Sequence, residues 1–482
     1  MVKKVADHET IATLLEGFHG RWASGTDITM HGINDYQKSL AAARHFGVRE
    51  GQVSHTFRGK EYVFKFQYRD PWKWILDIVT DPTLAESIIW YPVEKLLHHN
   101  GRITRNGGGV LIGYMPVIGD PNKTAEMEDD SASSVEIAQF KRDVYQKVLH
   151  VMFRPVRRCS HPGEAVICGD ELTRVLHPGF LIHSVDGEEA YCLCGTRGVK
   201  ANHPCQRCLI HKSLLHNLST PILLRYQHDM MEVYNRASSL SDYAAEKVLR
   251  DVGLHLVQNA FWKIANSDPY LAYSYDMLHA FDSGEWGKHQ WPLLRETILD
   301  GAGKQKLAAN MRHVPRWRSL KHFNDVTSVE FSDGNSFKEI LKCIVPCLVD
   351  VLHSNSPVIH CLRFLAIIRA LAGLWPVSEE YIVYLEKTCL PRYDKFCSKL
   401  SKEYGKNYDY PKHHSLVHIP FDLRAKAAVD NYTTRPGEGF QQEVQQAYDQ
   451  TNFRDTEPQM VCIDENQECR KNLKCRIRPD HA

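Results

Sequence analysis

Two short clusters, far apart in the chain, constrain its fold more than any other feature. The first is Asp186 followed by Cys205-Gln206-Arg207-Cys208; the second is His413, His414 and His418 followed by Glu438. Each pairs soft thiolate or imidazole ligands, the set preferred by Zn²⁺, with a carboxylate suited to a hard oxygen-seeking cation. A fold that unites the halves must carry the late segment back onto the middle of the chain. It is expected to hold one structural Zn²⁺ beside a catalytic Mg²⁺ or Mn²⁺ centre, with Asp186 and Glu438 as the carboxylates.

With 482 residues, the chain is long enough for two or three cores, at roughly 100–200 residues per domain. Hydrophobic content of 43% and charged content of 24% are ordinary for a globular protein. No apolar run approaches the roughly 18 residues that would signal a membrane span, and the polar start Met1-Val2-Lys3-Lys4 does not read as a secretion signal. The 14 cysteines are spread along the chain, so reduced thiols and one metal site are expected rather than a disulfide framework. Lys and Arg number 59 against 58 Asp and Glu, so any contact with nucleic acid must come from local patches.

Pattern divides the chain into four stretches: a mixed N-terminal segment (1–75), the first part of an α/β core with the cysteine knuckle (76–214), a helical insertion (215–405) and a return to the core (406–482). Thr10 to Phe18 reads as a short amphipathic helix, Glu61 to Phe66 alternates like a strand, and the Asn106-Gly107-Gly108-Gly109 turn leads into a strand candidate at Val110 to Val117. Residues 120–134 read as an acidic loop, and Val135 to Met152 has helical spacing. Glu164 to Val185 reads as two short strands around Asp170-Glu171, the second being Phe180 to Val185, with Asp186 displayed at its end. Long helices are expected at Phe337 to His353, Val358 to Trp375 and Glu379 to Tyr404.

Each half-site has a plainer alternative. Two cysteines at x2 spacing form a zinc knuckle only if two more ligands arrive; otherwise they are buried thiols. His414 and His418 are i,i+4 and share a helix face, whereas His413 with His418 is an i,i+5 alternative that a helix end accommodates. A histidine cluster alone is more often a surface or capping feature. Cys192-x-Cys194 alternates like a strand and is expected in core, while Cys462, Cys469 and Cys475 have no histidine partners at zinc-finger spacing. For DNA contact, the best patch is Arg312 to His322, where Trp317 lies among Arg312, Arg316, Arg318 and Lys321, a mix suited to phosphate contact and base stacking; the tail from Arg470 to Arg478 is a second. A solvated basic face is the plain reading of both. The polar-aromatic stretch Tyr275-Asp276-Met277-Leu278-His279 reads as structural.

Several runs together resemble the Plavaka transposases of fungi, relatives of the CACTA group. They are Arg69-Asp70-Pro71-Trp72-Lys73-Trp74, Asp81-Pro82-Thr83-Leu84-Ala85, Trp90-Tyr91-Pro92, Gly113-Tyr114-Met115-Pro116 and Thr196-Arg197-Gly198 ahead of Pro204-Cys205. Further matches are Leu278-His279, His289-x-Trp291-Pro292, Phe331-Ser332-Asp333-Gly334, Pro411-Lys412-His413-His414, Tyr432 to Glu438 and Thr451 to Asp455. The resemblance spans roughly residues 60–460. It implies an RNase H-like α/β core with a mixed sheet, interrupted by a large all-α insertion and stabilised by zinc, with a DDE site whose second acid falls on Asp186 and late Glu on Glu438. The family's histidine motif favours His414 and His418. The order Asp, Cys-x2-Cys, paired His, Glu is also similar to the RAG recombinase core, whose histidine spacing matches His413 and His418.

The departures bear on activity. Where the family carries its first catalytic Asp, Lys95-Leu96-Leu97-His98-His99-Asn100 runs directly on toward the glycine turn with no Asp between. Gly437 and Gln441 stand where the family has Asn and His. The resemblance therefore implies a nuclear, DNA-binding protein descended from a Mg²⁺-dependent DNA strand-transfer enzyme and degenerate at its first acid, with transposon ends as ancestral partner and a homodimer as working form. The alternatives are a domesticated, non-catalytic DNA- or protein-binding scaffold, or a mispredicted gene model of an active transposase.

Overall fold

The computed structural model describes residues 47–88, 111–121 and 133–477 apart from 319, 331, 332 and 455, together with a few positions between 32 and 38; side chains are described as far as 467. The helix expected at Thr10 to Phe18, most of the acidic loop and the stretch around Lys95 to Gly109 lie outside the described residues.

The described chain is helix-rich. Its strands form two antiparallel pairs: β1 (Arg49–Phe57) with β2 (Lys60–Tyr68), and β3 (Glu164–Ile167) with β4 (Thr173–Leu176). Among the described residues no mixed sheet is present, so the α/β part of the expectation is not borne out there. Glu61 to Phe66 does lie in β2, and its alternation buries Phe66 against helix α2 (Ser134–Met152), where Phe140 and Val144 complete a small core. The strand expected at Val110 to Val117 reduces to a bridge between Gly113 and Tyr68.

Capping chemistry explains most helix starts. Asp70 caps α1 (Pro71–Val79) through Trp72 N and Lys73 N, and Pro71 fits the first position, where no amide is needed. Ser133 and Glu136 form a reciprocal capping box on α2, which is followed by α3 (Arg154–Ser160). The second strand of the 164–185 pair is Thr173–Leu176, earlier than Phe180 to Val185. That apolar run instead stays extended, with His183 bridging to Tyr273 and Phe180 stacking edge-on against Phe153 and Phe261. Asp186 consequently ends no strand. It is the N-cap of α4 (Gly187–Cys194), accepting from Glu188 N and Glu189 N. Cys192 and Cys194 lie on that helix, correcting the strand reading, and Gly195 closes it at φ +67°.

The helices α5 (Gln227–Ser238) and α6 (Asp242–Val252) pack with α1, α3 and α4 around Trp72, Leu249, Phe261, Trp262 and Tyr270. The largest core follows. It gathers α7 (Met277–Gln290), which has π-type winding, α8 (Gly301–Arg312), α9 (Gly334–Cys347), α10 (Pro357–Ala372) and α11 (Leu390–Tyr404), the last entered from Glu379–Tyr384 through a π-turn. These bear out the helical spacing read at 337–353, 358–375 and 379–404. Gly287 is required where α7 meets α9: a Cβ there would stand 2.7 Å from the Phe337 ring.

The same core also takes in Leu416, Ile419, Leu423 and Tyr432, from α12 (Pro411–Ser415), a tight turn at Leu416–His418, α13 (Ile419–Lys426) and the segment that follows. The histidine-bearing segment and the helical insertion are thus one packed unit. Helices α14 (Arg435–Tyr448) and α15 (Thr456–Ile477) are the last of the described elements.

Candidate metal centre and its acidic flank

The cysteine half-site is a loop held by backbone pairing. Leu209 N donates to Leu223 O, Arg225 N donates to Arg207 O, and Cys208 bridges to Leu224. The fully buried Arg225 guanidinium ties the loop from below, donating to Cys205 O at 2.9 Å and His203 O at 3.1 Å. The histidine half-site arrives on the short helix started by Pro411 and the tight turn after it, so His414 and His418 stay on one side of the chain.

The two halves meet. Cys208 Sγ lies 3.1 Å from His414 Nε2, and Cys205 Sγ lies 3.3 Å from His418 Nε2. The four ligand atoms fall within 4.8 Å of one another and all four residues are buried. A tetrahedral zinc with S at about 2.3 Å and N at about 2.0 Å has S-to-N edges of roughly 3.6 Å, so the observed spacing fits with a small expansion. The opposite ring nitrogens, His414 Nδ1 and His418 Nδ1, are buried without a hydrogen-bond partner, leaving Nε2 as the atom each histidine turns to the thiols. Two thiolates neutralise a divalent ion, which suits a buried site. This buried Cys2His2 cluster can hold a metal such as zinc.

The electrostatics agree. Burial works to raise the Cys205 thiol, but hydrogen bonds from Cys208 and the histidines, with the charge on His418, take it well below the ordinary value. The hydrogen bond to Cys205, then burial, holds the proton on Cys208. Burial lowers His418, against the pull of Cys205. A metal bound here would be held by Cys205, Cys208, His414 and His418 and would displace the proton that Cys208 keeps.

His413 lies outside this tetrad. Its Nδ1 meets Glu285 Oε1 at 2.9 Å, both side chains fully buried. Tyr393 donates to Glu285 Oε1 at 2.5 Å and Tyr410 to Oε2 at 2.9 Å. Burial pushes the Glu285 carboxyl up, yet His413 and the tyrosine hydroxyl outweigh it and hold its pKa at about 2. The i,i+4 pair thus forms the tetrad, and the i,i+5 alternative does not.

Inside the knuckle, Arg207 points to the histidine half. Its Nη1 lies 2.5 Å from Asp422 Oδ2 on α13, and its guanidinium packs over the Phe421 ring at 4.8 Å. Asp422 also accepts from Tyr275 N at 2.8 Å and pairs with Lys426 at 3.0 Å. A buried ion pair therefore clamps the same two segments that the tetrad joins.

The acidic flank differs from expectation. Glu438, in the first turn of α14, pairs with His279 Nε2 at 3.0 Å, and His279 Nδ1 lies 2.5 Å from Asp276 Oδ2. Asp276 is buried and saturated: it caps α7 through Leu278 N and His279 N and accepts from Thr434 Oγ1 at 3.0 Å. Its hydrogen bond raises the His279 pKa against burial, helped by Glu438 and by Asp186, which is near enough to act on the ring. Asp276 and His279, in the stretch expected to be structural, carry this link, and the signal for it is an Asp-x2-His at a helix start. Among the described residues, the Cys2His2 tetrad alone gathers three or more His, Cys, Asp or Glu as a metal-type group. Asp186 caps α4 through Oδ1 and Glu438 pairs with His279 through Oε1.

Of the DNA candidates, Arg312 ends α8, and Arg316, Trp317 and Arg318 are exposed in the loop beyond it, with Trp317 69% exposed. Lys321 Nζ turns back to Ser336 Oγ at 2.5 Å at the start of α9. Side chains of the basic tail lie outside the described residues. Among the described residues no helix is long and apolar enough to cross a membrane.

The buried Cys2His2 tetrad thus joins the cysteine loop to the histidine-bearing segment. Residues 95–293 match the family model described as Plavaka transposase, and over that segment, which includes Asp186, both cysteines, Asp276 and His279, the chain is similar to that family. No curated protein matches the chain.

Proposed function

We propose that this is a transposon-derived protein that binds DNA, descended from a DDE strand-transferase and no longer competent to cut. The observation that carries this reading is the tetrad. It joins a knuckle inside the matched segment to a histidine pair more than a hundred residues beyond it, in the order Asp186, Cys205, Cys208, His414, His418, Glu438. That order supports RNase H-like descent. The exposed Arg312, Arg316, Trp317 and Arg318 supply the phosphate and stacking contacts that DNA binding needs.

Loss of cutting follows from the acids. Two-metal strand transfer depends on carboxylates that ligate both ions, and such a centre lowers the barrier by several kcal/mol. Here no Asp stands in the 95–106 stretch, where the resemblance places the first acid, so the set of three is one short. On this reading, the protein works in the nucleus, a homodimer spans paired DNA ends, and zinc is structural.

The test is fluorescence anisotropy with labelled duplex DNA over 50–200 mM salt, alongside plasmid incubation with Mg²⁺ or Mn²⁺. Salt-sensitive binding and intact plasmid are expected. Replacing Arg316 and Arg318 together with Gln is expected to reduce the log–log salt slope by up to about 1.8. Absence of binding would overturn the reading. Cleavage that disappears in Glu438→Ala would restore the enzyme and refute the loss of chemistry.

A further inference from the structure

A second charged cluster lies one helical turn from Glu438 and takes no part in the tetrad. Its centre is Asp282 on α7, fully buried. Arg369, from α10, grips it with two contacts, Nε to Oδ1 at 2.6 Å and Nη2 to Oδ2 at 3.1 Å. Arg435, at the first position of α14, brings Nη2 to 3.5 Å from Asp282 Oδ2 while its Nη1 meets Asn335 Oδ1 at the start of α9. Lys338, from the next turn of α9, is half-buried beside them. Among the described residues, its ammonium has no ion pair or hydrogen bond. Burial lowers its pKa, and Arg369, Lys342 and Arg435 lower it further. Lys342 is answered by Glu339 at 2.7 Å.

Two arginines thus share one carboxylate and a lysine from a third helix adds its charge beside them, so three positive charges face one negative charge at Asp282. Partly buried charge without a counterion is unfavourable, and a fold gains nothing from it unless a ligand supplies the anion. The contacts to Asp282 hold both guanidiniums in place before any ligand arrives. Two guanidiniums and an ammonium match the tetrahedral oxygens of a phosphate, which arginine binds as a fork and lysine as a point charge. Arg435 and Glu438 are i,i+3 on α14, which places the cluster next to the acidic flank and in reach of the same strand of polymer.

We propose that Lys338, Arg369 and Arg435 form a phosphate-binding site that holds one backbone phosphodiester of a nucleic-acid strand beside Glu438. This site rests on the DNA-binding reading above and deepens it; a free phosphate ion presents the same chemistry. The test separates the two sources. Wild type, Lys338→Gln and Lys338→Arg are compared by anisotropy on labelled duplex and single-stranded DNA over 50–200 mM salt, and by thermal unfolding with and without inorganic phosphate.

Lys338→Gln is expected to weaken DNA binding and reduce the log–log salt slope by about 0.9, while its thermal midpoint stays level or rises because an unanswered cation is gone. Lys338→Arg is expected to restore the slope. A lysine serving only the fold would lower affinity and midpoint together, and that outcome overturns the proposal. DNA binding with an unchanged slope in Lys338→Gln also overturns it while leaving the DNA-binding reading intact. If wild type binds no DNA but gains Lys338-dependent stability from inorganic phosphate, the site takes free phosphate and the nucleic-acid assignment falls, together with the reading it rests on.

Discussion

Replacing Asp422 with Ala should unfold the junction between knuckle and histidine segment more than any other single polar change. Its carboxylate is fully buried and answers three donors: Arg207 at 2.5 Å, Tyr275 N at 2.8 Å and Lys426 at 3.0 Å. Removing it strands a buried guanidinium and an amide and leaves the Lys426 ammonium only its contacts to Ala272 O, Tyr273 O and Ser274. Breaking a buried pair from one side costs roughly 3–5 kcal/mol, so about 4 kcal/mol is expected here, near a thousandfold in the unfolding constant. Arg207→Met should cost less, about 2 kcal/mol, because Met fills the stem and Asp422 keeps Lys426 and Tyr275 N. The assay is urea unfolding of zinc-loaded protein followed by tryptophan fluorescence, with the two single variants and the double. The double variant should fall well short of the sum, since both changes break one contact. A cost below about 1 kcal/mol for Asp422→Ala, or one no greater than that of Arg207→Met, would refute the clamp.

Two further outcomes follow from buried groups. A Glu285 carboxyl with a folded pKa of about 2 contributes stability that is present above the ordinary carboxylate range and lost as pH falls from about 4.3 toward 2. That contribution is on the order of 3 kcal/mol, so Glu285→Gln should flatten the acid limb of the stability curve over that window, and an unchanged limb would remove Glu285 as its cause. Gly253 closes α6 at φ +67° with a would-be Cβ 2.4 Å from His203 O, directly under the knuckle. Gly253→Ala should cost about 2 kcal/mol by chemical denaturation and a stability equal to wild type would show that the loop gives way freely.

Legibility in the sequence followed the range of the forces involved. Helical periodicity marked α2, α9, α10 and α11 because each buries one stripe along its own length. The tetrad was readable because thiols and imidazoles at short spacing have few other uses in combination, although the choice between His413 and His414 waited on Glu285, which lies on α7. Two elements that differ from expectation carry local signals of their true form. Asp186-Gly187-Glu188-Glu189 is a cap with acids in the first turn, and Gly195 is a left-handed stop, so Cys192 and Cys194 belong to a helix. Phe180 to Val185 is apolar like a strand, but it packs by aromatic contact and pairs with no neighbouring strand beyond one bridge. The Lys338, Arg369 and Arg435 cluster was invisible, because its members lie on three helices at no regular spacing and only tertiary packing unites them.

The central claim is that the two distant half-sites close on one metal ion, and elemental analysis of purified protein tests it most directly, with Cys205→Ser and His418→Ala alongside. The account predicts about one zinc per chain in wild type and loss of that zinc in both variants. Wild type without zinc, or zinc retained in either variant, would contradict it.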